Sequence, residues 1–164
     1  MSFGLAVLTF VHVVSSLVGI GSGFVVVYEF LTAKQRDLWT AVFLSTTVLT
    51  SLTGFFFPGE QLLPSHAVGI VSLLVLGVTI AARYRFHLSR AWRPTCLVCS
   101  VIALYLNVVV LIIQLFRKVP ALHAQAPTQS EPPFLVTQIA VAVVFVILAI
   151  VAAIRFRNPG VRTA

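Results

Sequence analysis

The sequence predicts an all-α integral membrane protein, a bundle of five transmembrane helices with its N-terminus outside and its C-terminus inside. Three observations carry this. Of 164 residues, 59% are apolar and 9% charged, against about 45–50% and about 25% in an average soluble domain. Positions free of Asp, Glu, Lys and Arg fall into five blocks, 1–28, 38–59, 61–82, 94–116 and 132–154, each of at least 22 residues, where a spanning helix needs about 20. The basic residues sit singly or in pairs at the ends of these blocks, as membrane proteins place their positive flanks. A soluble globular enzyme and a disordered chain are both excluded by this hydrophobicity. The net charge of +7 comes without a basic helix interleaved with aromatics, so nucleic acid is not expected as a partner. The partners expected are the lipid bilayer, a quinone, and a second copy or a larger membrane complex.

The whole chain, 1–164, reads as one membrane domain with helices near 4–30, 38–57, 65–86, 94–116 and 134–156. The first block has no positive n-region and too long an apolar stretch for a cleaved signal peptide, so it is expected to stay in the protein. All eight prolines lie at block ends or between blocks, which leaves the helix interiors unbroken. Strands of alternating polarity, needed for a β-barrel, are absent from the pattern. Lys34, Arg36, Arg83, Arg85, Arg90, Arg93, Arg155, Arg157 and Arg162 fall on one side, against Arg117 and Lys118 on the other. Positive-inside counting then sets the orientation. The segment 117–133, RKVPALHAQAPTQSEPP, is an outer loop that reads equally as a lid over the bundle or as a solvated linker. Five spans cannot form two matched halves of an inverted-repeat transporter without a leftover helix.

The candidate site comes from depth. His12, His66, Gln138 and Gly54 each lie 17 residues from the charged residue marking the inner end of their helix, about 25 Å at 1.5 Å per residue. In the fourth helix that level falls between Asn107 and Gln114. One outer layer therefore holds two imidazoles, amides and a glycine gap. An ionisable group within a membrane is costly and faces the bundle interior, so His12 is expected to point inward. His66, behind Pro64 with Ser65 as an N-cap, reads either as an interfacial histidine or as the partner of His12.

Two neutral imidazoles at one depth suit haem iron or a transition metal. Gly54 beside Phe55, Phe56 and Phe57 offers an apolar slot, and Arg117 and Lys118 lie where haem propionates could meet them. A metal site would use His12 and His66, with Glu60 or Glu131 joining only if the outer loops fold inward.

The glycines Gly19 and Gly23, on the His12 face with Ser16, form a GxxxG pair for close helix approach. Hydroxyls from Ser45 to Thr53 are expected either to bond carbonyls one turn back or to line a pathway. Ser100, Ala103, Asn107, Leu111 and Gln114 recur at helical spacing, and Asn107 reads as interhelical glue or as a ligand for a quinone or solute. Cys96 and Cys99 lack a preceding strand for thioredoxin chemistry and read as small packing residues. Hydrolysis, phosphoryl transfer and acidic proton relays lack their parts.

The stretches LSTTVLTSLTGFFFP, LPSHAVGIVSL and ALYLNVVVLIIQLFRKVPALHAQAPTQSEPPF resemble small multi-span inner-membrane proteins of bacteria with no assigned function. The likeness covers most of the chain and implies a bacterial cytoplasmic membrane. A histidine in the first helix is also similar to small b-type cytochromes, although those place more histidines within four helices. The function expected is redox-linked: haem b held near the periplasmic face between His12 and His66, exchanging electrons with quinone or a periplasmic partner. A channel or carrier for a small polar solute, and a non-catalytic subunit packed through its glycine face, are the alternatives.

Overall fold

The computed structural model describes residues 3–32, 36–57, 62–89 and 92–157, without the side chains of 62–65 and 155–157. Five long helices appear: α1 (Phe3–Thr32), α2 (Asp37–Gly54), α3 (Leu62–Ile80), α4 (Trp92–Lys118) and, after the one-turn α5 (Pro120–His123), α6 (Pro132–Arg157). No strand occurs among the described residues. α1, α4, α6 and the helical stretch His66–Arg85 are long and apolar enough to cross a membrane. α2 is not among them, because its hydroxyl-rich sequence dilutes its hydropathy. The chain is thus helical and compatible with a multi-pass membrane protein.

The helices pack as a ring. α1 lies against α2, α2 against α3, α3 against α4, and α4 closes back on α1. α6 lies outside the ring, against α4 and α1. α4 is the central element: 44% of its most apolar window is buried in the protein, against 11% for α6. The core gathers Val26 and Phe30 of α1, Phe43 of α2, Leu76 of α3, and Leu97 and Leu104 of α4. Apolar contact between helices gains little over contact with lipid, so close packing and interhelical hydrogen bonds must hold such a bundle. The expected GxxxG pair supplies the close packing. A Cβ on Gly19 would stand 3.2 Å from the Thr46 and Thr47 hydroxyls, and one on Gly23 would stand 2.6 Å from Leu104 and 2.9 Å from Phe43. The glycine face is therefore occupied within the chain by α2 and α4, and a partner subunit would have to use another face.

Two local expectations are corrected and one open alternative is decided. α3 begins at Leu62, so Ser65 falls inside the first turn and is not an N-cap; Pro64 is tolerated there because first-turn N–H groups lack helical partners anyway. The same helix does not run on as an α-helix to residue 86. It passes into a π-helical turn, Ala81–Arg85, closed by Phe86 N–H on the Ala81 carbonyl at 3.0 Å. His87 and Leu88 then adopt left-handed backbone, φ 46° and 51°, and Phe86 stacks on Trp92 at 4.0 Å. Last, the segment 117–133, which the sequence leaves open between a lid and a solvated linker, packs against the bundle. It forms α5 and buries Ala126 against Ile112, Phe116 and Phe134. Gln129, at φ 59°, donates its side-chain amide to the Ile113 carbonyl of α4 at 3.0 Å. The loop packs on α4 and α6. Lys34, Glu60, Arg90 and Arg162 lie outside the described residues, as do the side chains of Arg155 and Arg157.

Candidate functional site

α2 buries its polar side. Its buried residues are Thr40, Phe43, Leu44, Thr47, Thr50 and Thr53, while Leu38, Leu49 and Leu52 are exposed. Most of its hydroxyls satisfy themselves on carbonyls one turn back: Thr46 on Val42, Thr50 on Thr46, and Thr53 on Leu49. These bonds remove the donor cost of a hydroxyl in hydrocarbon and leave each oxygen able to accept. Two interhelical bonds use that capacity. Asn107 of α4 donates its side-chain amide to Thr47 Oγ1 at 3.3 Å, across the gap left by Gly19. His12 Nδ1 lies 2.9 Å from Thr53 Oγ1.

The second bond sets the state of the imidazole. The Thr53 hydroxyl carries one proton and directs it to the Leu49 and Thr50 carbonyls, at 2.7 and 3.1 Å. With its proton on a carbonyl, its oxygen accepts from His12, an arrangement that assigns the hydrogen to Nδ1. The lone pair then resides on Nε2, the arrangement in which a histidine serves as a ligand or hydrogen-bond acceptor. The half-buried ring is also held edge-on by Phe57, at 5.1 Å between centroids. Gly54 is beside it: a Cβ there would stand 3.7 Å from His12 Cε1. The equal depth of His12 and Gly54 inferred from residue counting thus matches a real proximity.

His66 meets the same end of α2 through a different residue. Its half-buried ring lies 5.1 Å from Phe55, and Phe55 in turn rests on α3, where a Cβ on Gly69 would come within 2.9 Å of its Cζ. The two imidazoles belong to α1 and α3, which stand opposite one another in the ring, each against the C-terminal end of α2. Gln138 is half-buried on α6, outside the ring. Arg117 and Lys118 are exposed at the end of α4, and Arg117 borders a cleft of about 420 Å³ under the loop with His123, Thr128 and Gln129. Gln114 is exposed, so the inward stripe of α4 ends at Leu111. Glu131 does not fold inward. Its carboxylate accepts from the Thr128 N–H and hydroxyl and from the Ser130 N–H, at 3.1, 2.8 and 3.0 Å. Slight desolvation pushes this carboxyl up, but those hydrogen bonds outweigh it and hold it below the usual carboxylate range.

Below the polar layer, Phe43 and Leu104, both fully buried, close over Gly23. Beyond this plug lies a second polar group that residue counting used only to mark helix ends. Glu29 is buried and accepts from the Arg36 N–H at 3.1 Å. Arg83, on the π-helical turn, donates through Nη2 to the Asp37 carboxylate. A charged pair at two block boundaries was the available signal. Cys96, buried, and Cys99 are free thiols. No cluster of three or more His, Cys, Asp or Glu side chains gathers among the described residues. Comparison with known proteins finds no matching family model, curated protein or solved structure.

Proposed function

We propose that the chain is a redox-linked protein of a bacterial inner membrane, holding haem b at the end of the bundle that carries the outer loop. His12 would ligate through Nε2 and His66 from the opposite helix, with Arg117 and Lys118 available to the propionates. The observation that carries this reading is the Thr53 contact at 2.9 Å, which orients the His12 ring and suits the tautomer with its lone pair on Nε2. Such an outer-shell bond is how proteins orient a ligating histidine. When bound, haem would supply one-electron exchange with a quinone or a periplasmic partner. The inward threonines and outward leucines of α2 support its being a fifth crossing, and the nine-to-two split of basic residues supports an outside N-terminus. The test is the absorption spectrum of protein purified after expression with haem supplied. A Soret band is expected, lost in His12→Ala and altered in His66→Ala. Its absence from the wild-type protein overturns the proposal.

A second reading is favoured by the Thr47, Thr50, Thr53 and Asn107 layer. It makes this end a polar pocket of a carrier for a small polar solute, closed below by Phe43 and Leu104. In that case His12→Ala changes flux in liposomes and leaves pigment content unaltered.

A further inference from the structure

The basic end of the bundle carries a buried cation whose hydrogen bonding is incomplete. Arg83 is 7% exposed. Its Nη2 reaches Asp37, whose own side chain is 97% exposed, while its Nη1 is buried without a hydrogen-bond partner. A guanidinium removed from water needs its donors satisfied, because an unmade bond to a charged group forfeits the full desolvation cost. An acceptor is therefore wanted at this point, and the chemistry asks for an anionic oxygen.

A second feature lies beside this point. α2 and the end of α3 frame an apolar groove of about 580 Å³, lined by Ala41, Ser45, Val48 and Leu52 on one side and Ile80 and Tyr84 on the other. Ala41 lies one turn beyond Asp37, and Ile80 and Tyr84 flank Arg83 in sequence. Arg83 and Asp37 do not line the groove, but each adjoins residues that do, so the pair stands next to its Ala41–Tyr84 end. From Ala41 to Leu52 the groove runs about 16 Å along the helix, close to half of a hydrocarbon core about 30 Å thick. That is the depth of one lipid leaflet. The Ala41–Tyr84 end lies among interfacial aromatics: Tyr28, Trp39 and Tyr84 are all exposed here, and such residues sit at headgroup level. Exposed Arg36 and Arg85 add positive charge beside Arg83.

We propose that this groove is a binding site for an anionic phospholipid, with one acyl chain along α2 and its phosphate beside Arg83, whose buried, unpartnered Nη1 turns outward to donate to it. An apolar channel one leaflet deep that ends beside an unsatisfied cation complements that molecule at both ends. The site is separate from the histidine layer, and its test does not depend on a cofactor.

The full-length protein, stripped of lipid in detergent, is titrated with phosphatidylglycerol, phosphatidylcholine or inorganic phosphate, with Trp39 fluorescence and the thermal midpoint as readouts. Phosphatidylglycerol is expected to bind and raise the midpoint. Arg83→Gln is expected to weaken its binding about tenfold, the effect of one charge-assisted hydrogen bond. Ser45→Phe fills the groove from an exposed position and is expected to weaken binding at least as much. It decides the matter should Arg83→Gln fail to fold. Equal binding of phosphatidylcholine and phosphatidylglycerol overturns the proposal, as does unchanged binding by Ser45→Phe. Displacement of the lipid by inorganic phosphate at similar concentration overturns the lipid assignment and leaves a plain phosphate site.

Discussion

Two glycines one turn-fraction apart on α1 should respond to the same substitution with opposite signs. Gly23→Ala places a methyl 2.6 Å from Leu104 Cδ1 and 2.9 Å from Phe43 Cε2, where carbon atoms settle at about 3.5–4.0 Å. Leu104 and Phe43 are both fully buried, so neither can move aside into open space. Overpacking of this kind costs about 1–3 kcal/mol. Replacing a helical glycine with alanine returns up to about 1 kcal/mol. With the full propensity gain, the net is a loss of up to about 2 kcal/mol. Gly21→Ala has the same propensity gain, and nothing lies within 4 Å of its added methyl. It should be stabilised by up to about 1 kcal/mol. The propensity gain cancels between the two variants, so they should differ by the overpacking cost alone, about 1–3 kcal/mol, or several degrees in thermal midpoint for a chain of this size. Thermal unfolding in detergent, followed by circular dichroism, reads this directly. Equal midpoints for the two variants would refute the packing of α1 on Phe43 and Leu104.

Two further outcomes follow from the hydrogen bonds. Thr53→Val keeps the shape at that position but removes the acceptor for His12 Nδ1; if haem is bound, its affinity should fall about 10–100-fold, measured by haem titration, while Thr50→Val should have little effect on it. The Glu131 carboxyl is held below its ordinary range in the folded loop, so its contribution is complete above the unfolded value and is lost as pH falls through the depressed one. Protection factors of the Thr128 and Ser130 N–H groups, which remove the intrinsic pH dependence of exchange, should fall across that acid window in the wild-type protein. In Glu131→Gln they should be low and independent of pH, and a flat protection profile in the wild type would contradict the capping geometry.

The long helices were legible because each apolar block exceeds the span of a bilayer core. α1, α4 and α6 extend one or two residues past each expected boundary, since a helix continues through the interface where composition turns polar. The π-helical turn at Ala81–Arg85 was not legible, because i to i+5 bonding leaves no mark in composition. Nor was the order of the outer loop: Ala126, between two polar-looking neighbours, gives no sign that it is fully buried. At the candidate site, depth counting paired His12 with Gly54 correctly. It could not choose Thr53 from a run of six hydroxyls, since the choice depends on the rotation of α2 against α1. Arg83 was counted as one positive flank among nine, whereas the π-turn rotates it inward to Asp37.

The plug of Phe43 and Leu104 over Gly23 divides the α1–α2–α4 seam into two polar layers with different chemistry. The upper one holds the His12 imidazole, threonine hydroxyls and the Asn107 amide; the lower holds Glu29 and the Arg83–Asp37 pair. His12 and Glu29 are 17 residues apart on one helix, about 25 Å, and no described hydrogen bond crosses the apolar zone between them. Sites this far apart without shared partners should act independently, with mutational effects adding within about 0.3–0.5 kcal/mol. A His12→Ala, Arg83→Gln double variant should thus show the pigment or flux defect of the first and the lipid-binding defect of the second, neither enlarged. If the combined loss exceeds the sum, the layers communicate, and Phe43 must move during the working cycle rather than seal the bundle. Phe43→Ala separates these cases. A static seal predicts that its removal merely destabilises the bundle by about 3–5 kcal/mol, whereas a moving gate predicts coupling that disappears with the ring.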